Sequence, residues 1–75
     1  MKLEFTNNAR ARMLDRGIRE ADILAAIESP EQLVPCIEKK CWHARKMLGA
    51  RTLEVILIRD LLQTQIITAY WQEPK

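Results

Sequence analysis

The stretch CWHARKMLGARTLEVILIR, residues 41–59, predicts two antiparallel strands joined by a turn. Branched apolar residues are frequent in it, and Gly49-Ala50 separates its two halves. Runs of this composition on either side of a glycine-containing turn are typical of a β-hairpin. If the turn centres on Gly49-Ala50, Arg45 lies opposite Glu54, and both side chains project from one face of the sheet.

The pattern extends outward in both directions along the chain. Lys2 to Phe5 alternates between polar and apolar residues and predicts a short first strand. A helix should then run to about Arg16 and end at Gly17, and a second helix should end before Pro30. The strands expected after Pro30 lie near 32–37, 41–47, 52–59 and 64–71.

Both helices carry boundary and packing signals. The side-chain oxygens of Thr6, Asn7 and Asn8 make each of them a candidate cap for the first helix. In the second helix, an apolar stripe formed by Ile23, Leu24 and Ile27 should face the core.

Turns centred on 38–39, 49–50 and 61–62 assign each strand residue to one of two faces. This register also places Cys36 opposite Cys41 and Val55 opposite Thr68. The face on which the helices are expected to pack holds Leu33, Trp42, Ala44, Leu53, Val55, Leu57, Ile66, Thr68 and Tyr70. The open face is expected to hold Cys36, Cys41, His43, Arg45, Glu54, Ile56, Ile58, Ile67 and Trp71.

The order of these elements predicts the fold class. A strand, two helices and a run of strands give an α+β fold with a curved antiparallel sheet of about four strands. The 75 residues suffice for a single domain, residues 1–75. A net charge of +2 is too small for a protein that coats nucleic acid indiscriminately. No apolar run approaches a membrane span, so we expect a cytoplasmic protein with reduced cysteines.

Three residues of the predicted open face could carry chemistry. Histidine exchanges protons near neutral pH, a carboxylate accepts them, and arginine binds phosphate through paired hydrogen bonds. His43, Arg45 and Glu54 therefore form a candidate site for RNA cleavage without a metal, with His43 and Glu54 as acid and base. Alternatively, Arg45 and Glu54 form an ordinary cross-strand ion pair, and His43 lies on the sheet surface.

The pattern Cys36-x4-Cys41-x-His43 leaves three interpretations open. Two thiolates and an imidazole are zinc ligands, but the sequence offers no evident fourth ligand. Opposed cysteines form a disulfide in an oxidising setting if the geometry allows it. The favoured interpretation is two reduced cysteines that pack as small apolar groups. Neither a metal nor an organic cofactor is expected.

Basic residues are concentrated in the first helix and in the hairpin loops. Such side chains contact nucleic-acid phosphates without reading the base sequence. The alternative is a solvated surface on which Asp15 offsets part of the helix charge. The candidate RNA contacts are Arg12, Arg16, Lys39, Lys40, Lys46 and Arg51.

Three short motifs resemble one bacterial family. They are Asn8-Ala9-x-x-Arg12-Met13-x-x-Arg16-Gly17-Ile18, Asp22-Ile23-x-x-Ala26-Ile27-x-x-Pro30 and Ile67-Thr68-Ala69-Tyr70-Trp71. The chain looks like the small family catalogued as domain of unknown function 4258, a family that resembles RelE-like toxins and barnase-like ribonucleases. The resemblance implies a RelE-like fold and makes Arg12, Arg16, Thr68 and Tyr70 motif positions. It also places Asn8 where the family usually has a histidine, and asparagine transfers no proton near pH 7.

Two functions follow from these patterns. We expect a RelE-like protein of toxin–antitoxin type that contacts RNA, a ribosome or a protein partner through its open sheet face and basic loops. A protein partner, either an antitoxin-like chain or a second copy, would bind an apolar patch of Ile56, Ile58, Ile67 and Trp71. The alternative is an active metal-free ribonuclease that uses His43, Arg45 and Glu54, with Tyr70 as a further candidate from the resemblance.

Overall fold

A computed structural model describes residues 2–36, 40–60 and 62–72 of the chain. The elements are β1 (Lys2–Phe5), α1 (Asn7–Arg16), α2 (Glu20–Glu28), β2 (Gln32–Pro35), β3 (Cys41–Leu48), β4 (Arg51–Arg59) and β5 (Gln63–Gln72). The predicted turn centres at 38–39 and the first residue of the turn at 61–62 lie outside the described residues. Neither described helix is long and apolar enough to cross a membrane.

The α+β fold is confirmed, but the sheet differs from the predicted one. It has five strands in the order β1-β5-β4-β3-β2, and it is mixed, because β1 pairs with β5 in parallel. The sequence placed β1 apart from a sheet of about four strands. The two helices connect β1, at one edge of the sheet, to β2, at the opposite edge. The antiparallel strands β3, β4 and β5 then lead back towards β1, so the first and last strands are parallel neighbours.

The helix boundaries follow the predicted signals. Of the three candidate caps for α1, Thr6 is the one used, and its Oγ1 accepts a hydrogen bond from the Ala9 N–H at 3.0 Å. Gly17 ends α1 with φ 65°, a conformation that glycine adopts without steric cost. The predicted stripe on α2 is wrong at Leu24, which is 41% exposed, whereas Ile23 is fully buried.

The two helices pack on one face of the sheet and form the core with it. The buried apolar residues are Ala9, Met13, Ile18, Ile23, Ala26, Ala44, Leu53, Val55, Leu57, Ile66 and Ala69. The opposite face of the sheet is not covered by either helix, and it carries the polar residues described below. This division makes the helix face structural and leaves the open face available for function.

A register shift in β5 changes the predicted faces. Leu57 pairs with Ile66 as expected, but the register shifts between Ile56 and Leu57, so that Val55 lies opposite Ala69 and not Thr68. A bulge of one residue moves every side chain beyond it to the other face. Thr68 and Tyr70 therefore project from the open face, opposite Ile56 and Glu54, and Trp71 lies on the helix face, opposite Leu53.

Helix α1 and its cap supply hydrogen-bond donors to the part of the β5 edge that β1 does not cover. β1 pairs with β5 only as far as Ile66. Beyond that point the Ile67 carbonyl accepts hydrogen bonds from Thr6 Oγ1 at 3.1 Å and Asn8 Nδ2 at 3.2 Å. Next, the Ala69 carbonyl accepts one from Arg16 Nη1 at 2.9 Å. The first and last motifs of the resemblance thus contact each other directly.

The two cysteines form a disulfide, which corrects the expectation of reduced thiols. The predicted pairing of Cys36 with Cys41 explains the bond. The Cys36 N–H donates to the Cys41 carbonyl at 2.9 Å, and their Cα atoms are 5.1 Å apart, within the range that a disulfide spans.

Removing this disulfide should destabilise the protein modestly. A cross-link between residues five positions apart reduces the entropy of the unfolded chain by an amount worth about 2 kcal/mol. We expect the Cys36→Ser/Cys41→Ser variant to lose stability of this size in urea denaturation. Dithiothreitol should lower the stability of the wild type to that of the variant and leave the variant unchanged. Equal stability of oxidised and reduced wild type would contradict the prediction.

Candidate functional site

A buried carboxylate on β4 is the centre of the open face. Glu54 is 1% exposed, and four side chains donate hydrogen bonds to its two oxygens. Oε1 accepts from Arg45 Nε at 2.5 Å and Gln72 Nε2 at 2.8 Å, and Oε2 accepts from His43 Nδ1 at 2.9 Å and from the Tyr70 hydroxyl. Ionised carboxylates offer about four acceptor positions, so this network saturates the group.

The network decides the charge of Glu54. Burial alone would raise the pKa of this carboxyl, because it penalises the ionised form. Hydrogen bonds from Tyr70, His43 and Arg45, together with the Arg45 charge, outweigh burial and leave the pKa below its ordinary value. Glu54 is therefore an anion at neutral pH.

His43 and Arg45 connect the buried carboxylate to solvent. Their side chains are 30% and 36% exposed, whereas that of Glu54 is 2% exposed. Because an ionised carboxylate only accepts hydrogen bonds, His43 Nδ1 is the donor in this contact, and Nε2 is the ring nitrogen that Glu54 does not engage. Both residues line an open groove of about 510 Å³, the hairpin groove, with Val34, Pro35, Cys36, Cys41 and Ile56.

Tyr70 adds a phenol to the cluster. Its burial, its hydrogen bond to Glu54 and the negative charge of that carboxylate raise the Tyr70 pKa to about 12. Tyr70 is therefore a neutral donor at physiological pH. A phenolate here would place a second negative charge beside Glu54.

The Tyr70 pKa is directly measurable because the chain has a single tyrosine. We expect the phenolate absorbance at 295 nm to appear near pH 12 in the folded protein, and closer to the ordinary value of 10 in Glu54→Gln. A pKa raised by folding means that stability is lost as pH rises from about 10 towards 12. Titration of the wild type at pH 10 while circular dichroism still reports a folded chain would contradict the assignment.

The structure brings together all four predicted catalytic candidates, although Tyr70 was assigned to the helix face by the hairpin register. Two further members were not predicted. Gln72 donates to Glu54, and Gln32 Oε1 accepts from Arg45 Nη1 at 3.2 Å. Glutamines at strand ends resemble ordinary surface residues, so only the register of β2 and β5 could have indicated them.

The predicted basic contacts separate into different roles. Arg12 and Lys40 are exposed, whereas Lys46 Nζ donates to the Ser29 carbonyl at 2.9 Å and so anchors the end of α2. Arg16 and Arg51 lie beside Trp71, whose indole N–H donates to the Arg16 carbonyl at 2.9 Å and whose ring lies 4.2 Å from the Arg51 guanidinium. Lys39 lies outside the described residues.

The predicted apolar patch is smaller than expected. Ile56 and Ile58 are half-buried on the open face, where they pair with Thr68 and Gln65. Ile67 lies at the register shift, and Trp71 lies on the helix face, where it packs against the core. The patch therefore lacks its aromatic member.

The cysteines are not available as metal ligands in this state, since both are in the disulfide. Within residues 2–36, 40–60 and 62–72, no three histidine, cysteine or acidic side chains converge as a metal site would require. At the centre of the open face, the Glu54 carboxylate accepts hydrogen bonds from four side-chain donors.

Comparison of the chain with protein-family models, curated proteins and solved structures finds no match. The resemblance to the family of unknown function therefore stays a prediction from the motifs.

Proposed function

We propose that the open face binds a phosphodiester of single-stranded RNA and that His43 promotes its cleavage without a metal. The observation that carries the proposal is the Glu54 carboxylate, which is buried and holds by hydrogen bonds a histidine and an arginine that line one open groove. We include in this proposal the RelE-like fold and the family membership that the motifs suggest. The order of the elements is consistent with both.

The groups divide the chemistry between them. The Arg45 guanidinium would hold the nonbridging phosphate oxygens through its outward N–H donors. His43 Nε2 would accept the proton of the ribose 2′-hydroxyl as its oxygen attacks phosphorus. The bond from phosphorus to the 5′-oxygen breaks, and that oxygen takes a proton from solvent. The products are a 2′,3′-cyclic phosphate and a 5′-hydroxyl end.

Glu54 has a different role in this proposal from the one predicted from sequence. Its oxygens are saturated by four donors, and its side chain is 2% exposed, so it is poorly placed to accept a proton from RNA. We assign it a positioning role. It fixes the Nδ1–H tautomer of His43 and compensates the imidazolium that forms when Nε2 takes the proton.

The proposal is tested with labelled single-stranded RNA and a DNA strand of the same sequence, in excess chelator, with and without ribosomes. Cleavage of RNA alone, with 2′,3′-cyclic phosphate ends, is the expected result, because the DNA lacks the attacking hydroxyl. Absence of cleavage in every condition would reject the catalytic part. Cleavage that requires a divalent metal would reject the mechanism.

The second candidate is a catalytically silent protein of toxin–antitoxin type. Val34, 43% exposed on an edge strand, pairs with His43, which pairs on its other side with the half-buried Ile56. These apolar neighbours on either side of His43 favour a protein partner across the hairpin groove. Sedimentation of the pure chain distinguishes self-association from a monomer. A homodimer that dissociates on Val34→Asp, together with no RNA cleavage, would support this candidate.

A further inference from the structure

The Cys36–Cys41 disulfide lies in the same groove as the proposed reactive groups. Both cysteines line the hairpin groove together with His43 and Arg45, and both are half-buried. The bond is therefore not enclosed in the core, and a small molecule that enters the groove reaches it. Disulfides in such accessible positions exchange with thiols more readily than those inside a packed core.

The position of the bond in the sheet favours attack on one of its two sulfurs. A thiolate attacks a disulfide along the S–S axis, opposite the sulfur that leaves. Cys36 directly follows the edge strand β2, so on its side the axis leads out of the sheet. On the other side Cys41 pairs with Ile58 of β4, which obstructs the approach. We therefore expect attack at Cys36 Sγ, with Cys41 as the leaving thiolate.

The charge of the groove selects the kind of thiol. Arg45 lines the groove, whereas its partner Glu54 is 2% exposed and is not among the lining residues. An anion that enters the groove thus meets the guanidinium before the carboxylate. The same cation stabilises Cys41 as a thiolate when it leaves. Small thiols that carry an anionic group should therefore react fastest.

Reduction would change the groove and not the core. All four residues of β2 are exposed, and none of them belongs to the buried cluster between sheet and helices. β2 supplies Val34 and Pro35 to the groove, and its Gln32 accepts a hydrogen bond from Arg45. Loss of the cross-link therefore loosens one wall of the groove, while β3, β4 and β5 stay packed.

We propose that the Cys36–Cys41 disulfide is a thiol-exchange site whose substrate is an anionic low-molecular-weight thiol. The thiolate bonds to Cys36 Sγ as the bond between the cysteines breaks, and Cys41 leaves as a thiolate. A second thiolate attacks the sulfur of the bound thiol, so that the small disulfide leaves and Cys36 becomes a thiolate. Two small thiols are oxidised, and the protein disulfide is reduced. The small disulfide drives the reverse reaction.

Exchange at this site regulates the proposed cleavage. The adduct on Cys36 occupies the groove beside His43, and full reduction loosens the wall that β2 forms. Both changes lower RNA cleavage. This regulatory effect rests on the proposed function, whereas the exchange reaction does not.

The exchange reaction is measured without RNA. The probes are mercaptoacetate, β-mercaptoethanol and cysteamine, which are anionic, neutral and cationic. Each rate is divided by that of the same thiol with an uncharged reference disulfide. After acid quenching and alkylation, tryptic mapping locates the adduct, because Lys39 and Lys40 separate the cysteines. We expect the adduct on Cys36 and the alkylated thiol on Cys41. An adduct mainly on Cys41, or failure of all three thiols to reduce the folded protein, would overturn the site.

Matched variants test the charge selection. Arg45→Gln removes the cation of the groove, and Arg10→Gln removes an exposed arginine that also pairs with a carboxylate, Glu20. Relative to the reference disulfide, mercaptoacetate should react about threefold or more faster than cysteamine with the wild type. Arg10→Gln and Arg45→Lys should keep this preference, and Arg45→Gln or added salt should abolish it. A preference that is absent, or that survives in Arg45→Gln, would overturn the anionic substrate.

RNA cleavage is then compared between oxidised, adduct-bearing and reduced protein. We expect about threefold or more slower cleavage in the last two forms, and no response to thiol in Cys36→Ser/Cys41→Ser. Equal cleavage by all three forms would overturn the regulatory role. Exchange with no cleavage in any form would leave the thiol-exchange site standing and reject the proposed catalysis.

Discussion

Replacing His43 with alanine is expected to lower RNA cleavage by about 10²- to 10⁴-fold, the usual contribution of a general base. His43 is the only histidine of the chain, so no second imidazole can replace it. Its side chain is 30% exposed, and its removal should leave the core intact. Cleavage rates under single-turnover conditions, with denaturation curves in parallel, measure both effects.

The control for this variant is Gln65→Ala. Gln65 is another half-buried residue of the open face, and it pairs with Ile58, away from Glu54. It should cleave at the wild-type rate. Added imidazole should partly restore His43→Ala and not affect Gln65→Ala, because only the first variant lacks a base. Full activity of His43→Ala would remove the histidine from the mechanism, and Arg45→Ala would then show whether any part of the cluster takes part.

Half of this site could be predicted from the sequence because a short hairpin has few possible registers. Gly49 adopts φ 67° in the turn, and the pairing of Arg45 with Glu54 follows from that turn. His43 shares their face by alternation alone. Local patterns therefore specified three of the four candidates that share the open face.

Tyr70 could not be placed by the same reasoning. The register of β5 depends on a bulge near Ile67, and neither glycine nor any turn signal marks it in the sequence. The bulge coincides with the point where β1 ends and α1 takes over the edge of β5. That contact joins residues 59 to 61 positions apart, so it is a property of the packed chain.

The same contact gives the opening motif a structural role. Asn8 and Arg16 both donate to carbonyls of β5, and these bonds hold the helix along the strand that carries Tyr70. Asn8 thus acts as a donor at a position where the resemblance implies a histidine. The helix motif shapes the site through β5, and the reactive groups come from β3, β4 and β5.

Replacing Glu54 with glutamine is expected to lower both stability and cleavage. Glutamine keeps the volume of the side chain but replaces one carboxylate oxygen with an NH₂ group. Two of the side chains that donate to Glu54 would then face a donor instead of an acceptor. An unsatisfied buried polar group costs about 1–3 kcal/mol, so we expect a loss of that size in urea denaturation at pH 7. Glu28→Gln, an exposed carboxylate on α2, is the matched control and should change stability little.

The pH dependence identifies the source of that loss. Since the Glu54 pKa is lowered on folding, its contribution is present above the ordinary value of 4.5 and is lost as pH falls through the folded-state pKa. The difference in stability between wild type and Glu54→Gln should therefore shrink at acid pH. A difference that stays constant between pH 7 and pH 3 would mean that packing, and not charge, accounts for it.

If Glu54 positions His43, its replacement should also change the tautomer of the imidazole, which a purely structural role would not predict. The ¹⁵N shifts of the single imidazole should report the Nδ1–H tautomer in the wild type and a mixture of tautomers in Glu54→Gln. If Glu54 orients the base, the variant should lose catalytic rate more than RNA affinity, because Arg45 still supplies the phosphate contact. Loss of affinity with an unchanged rate, or an unchanged tautomer with a reduced rate, would separate Glu54 from the proton transfer. The carboxylate would then serve the fold alone, and His43 would act without being oriented by Glu54.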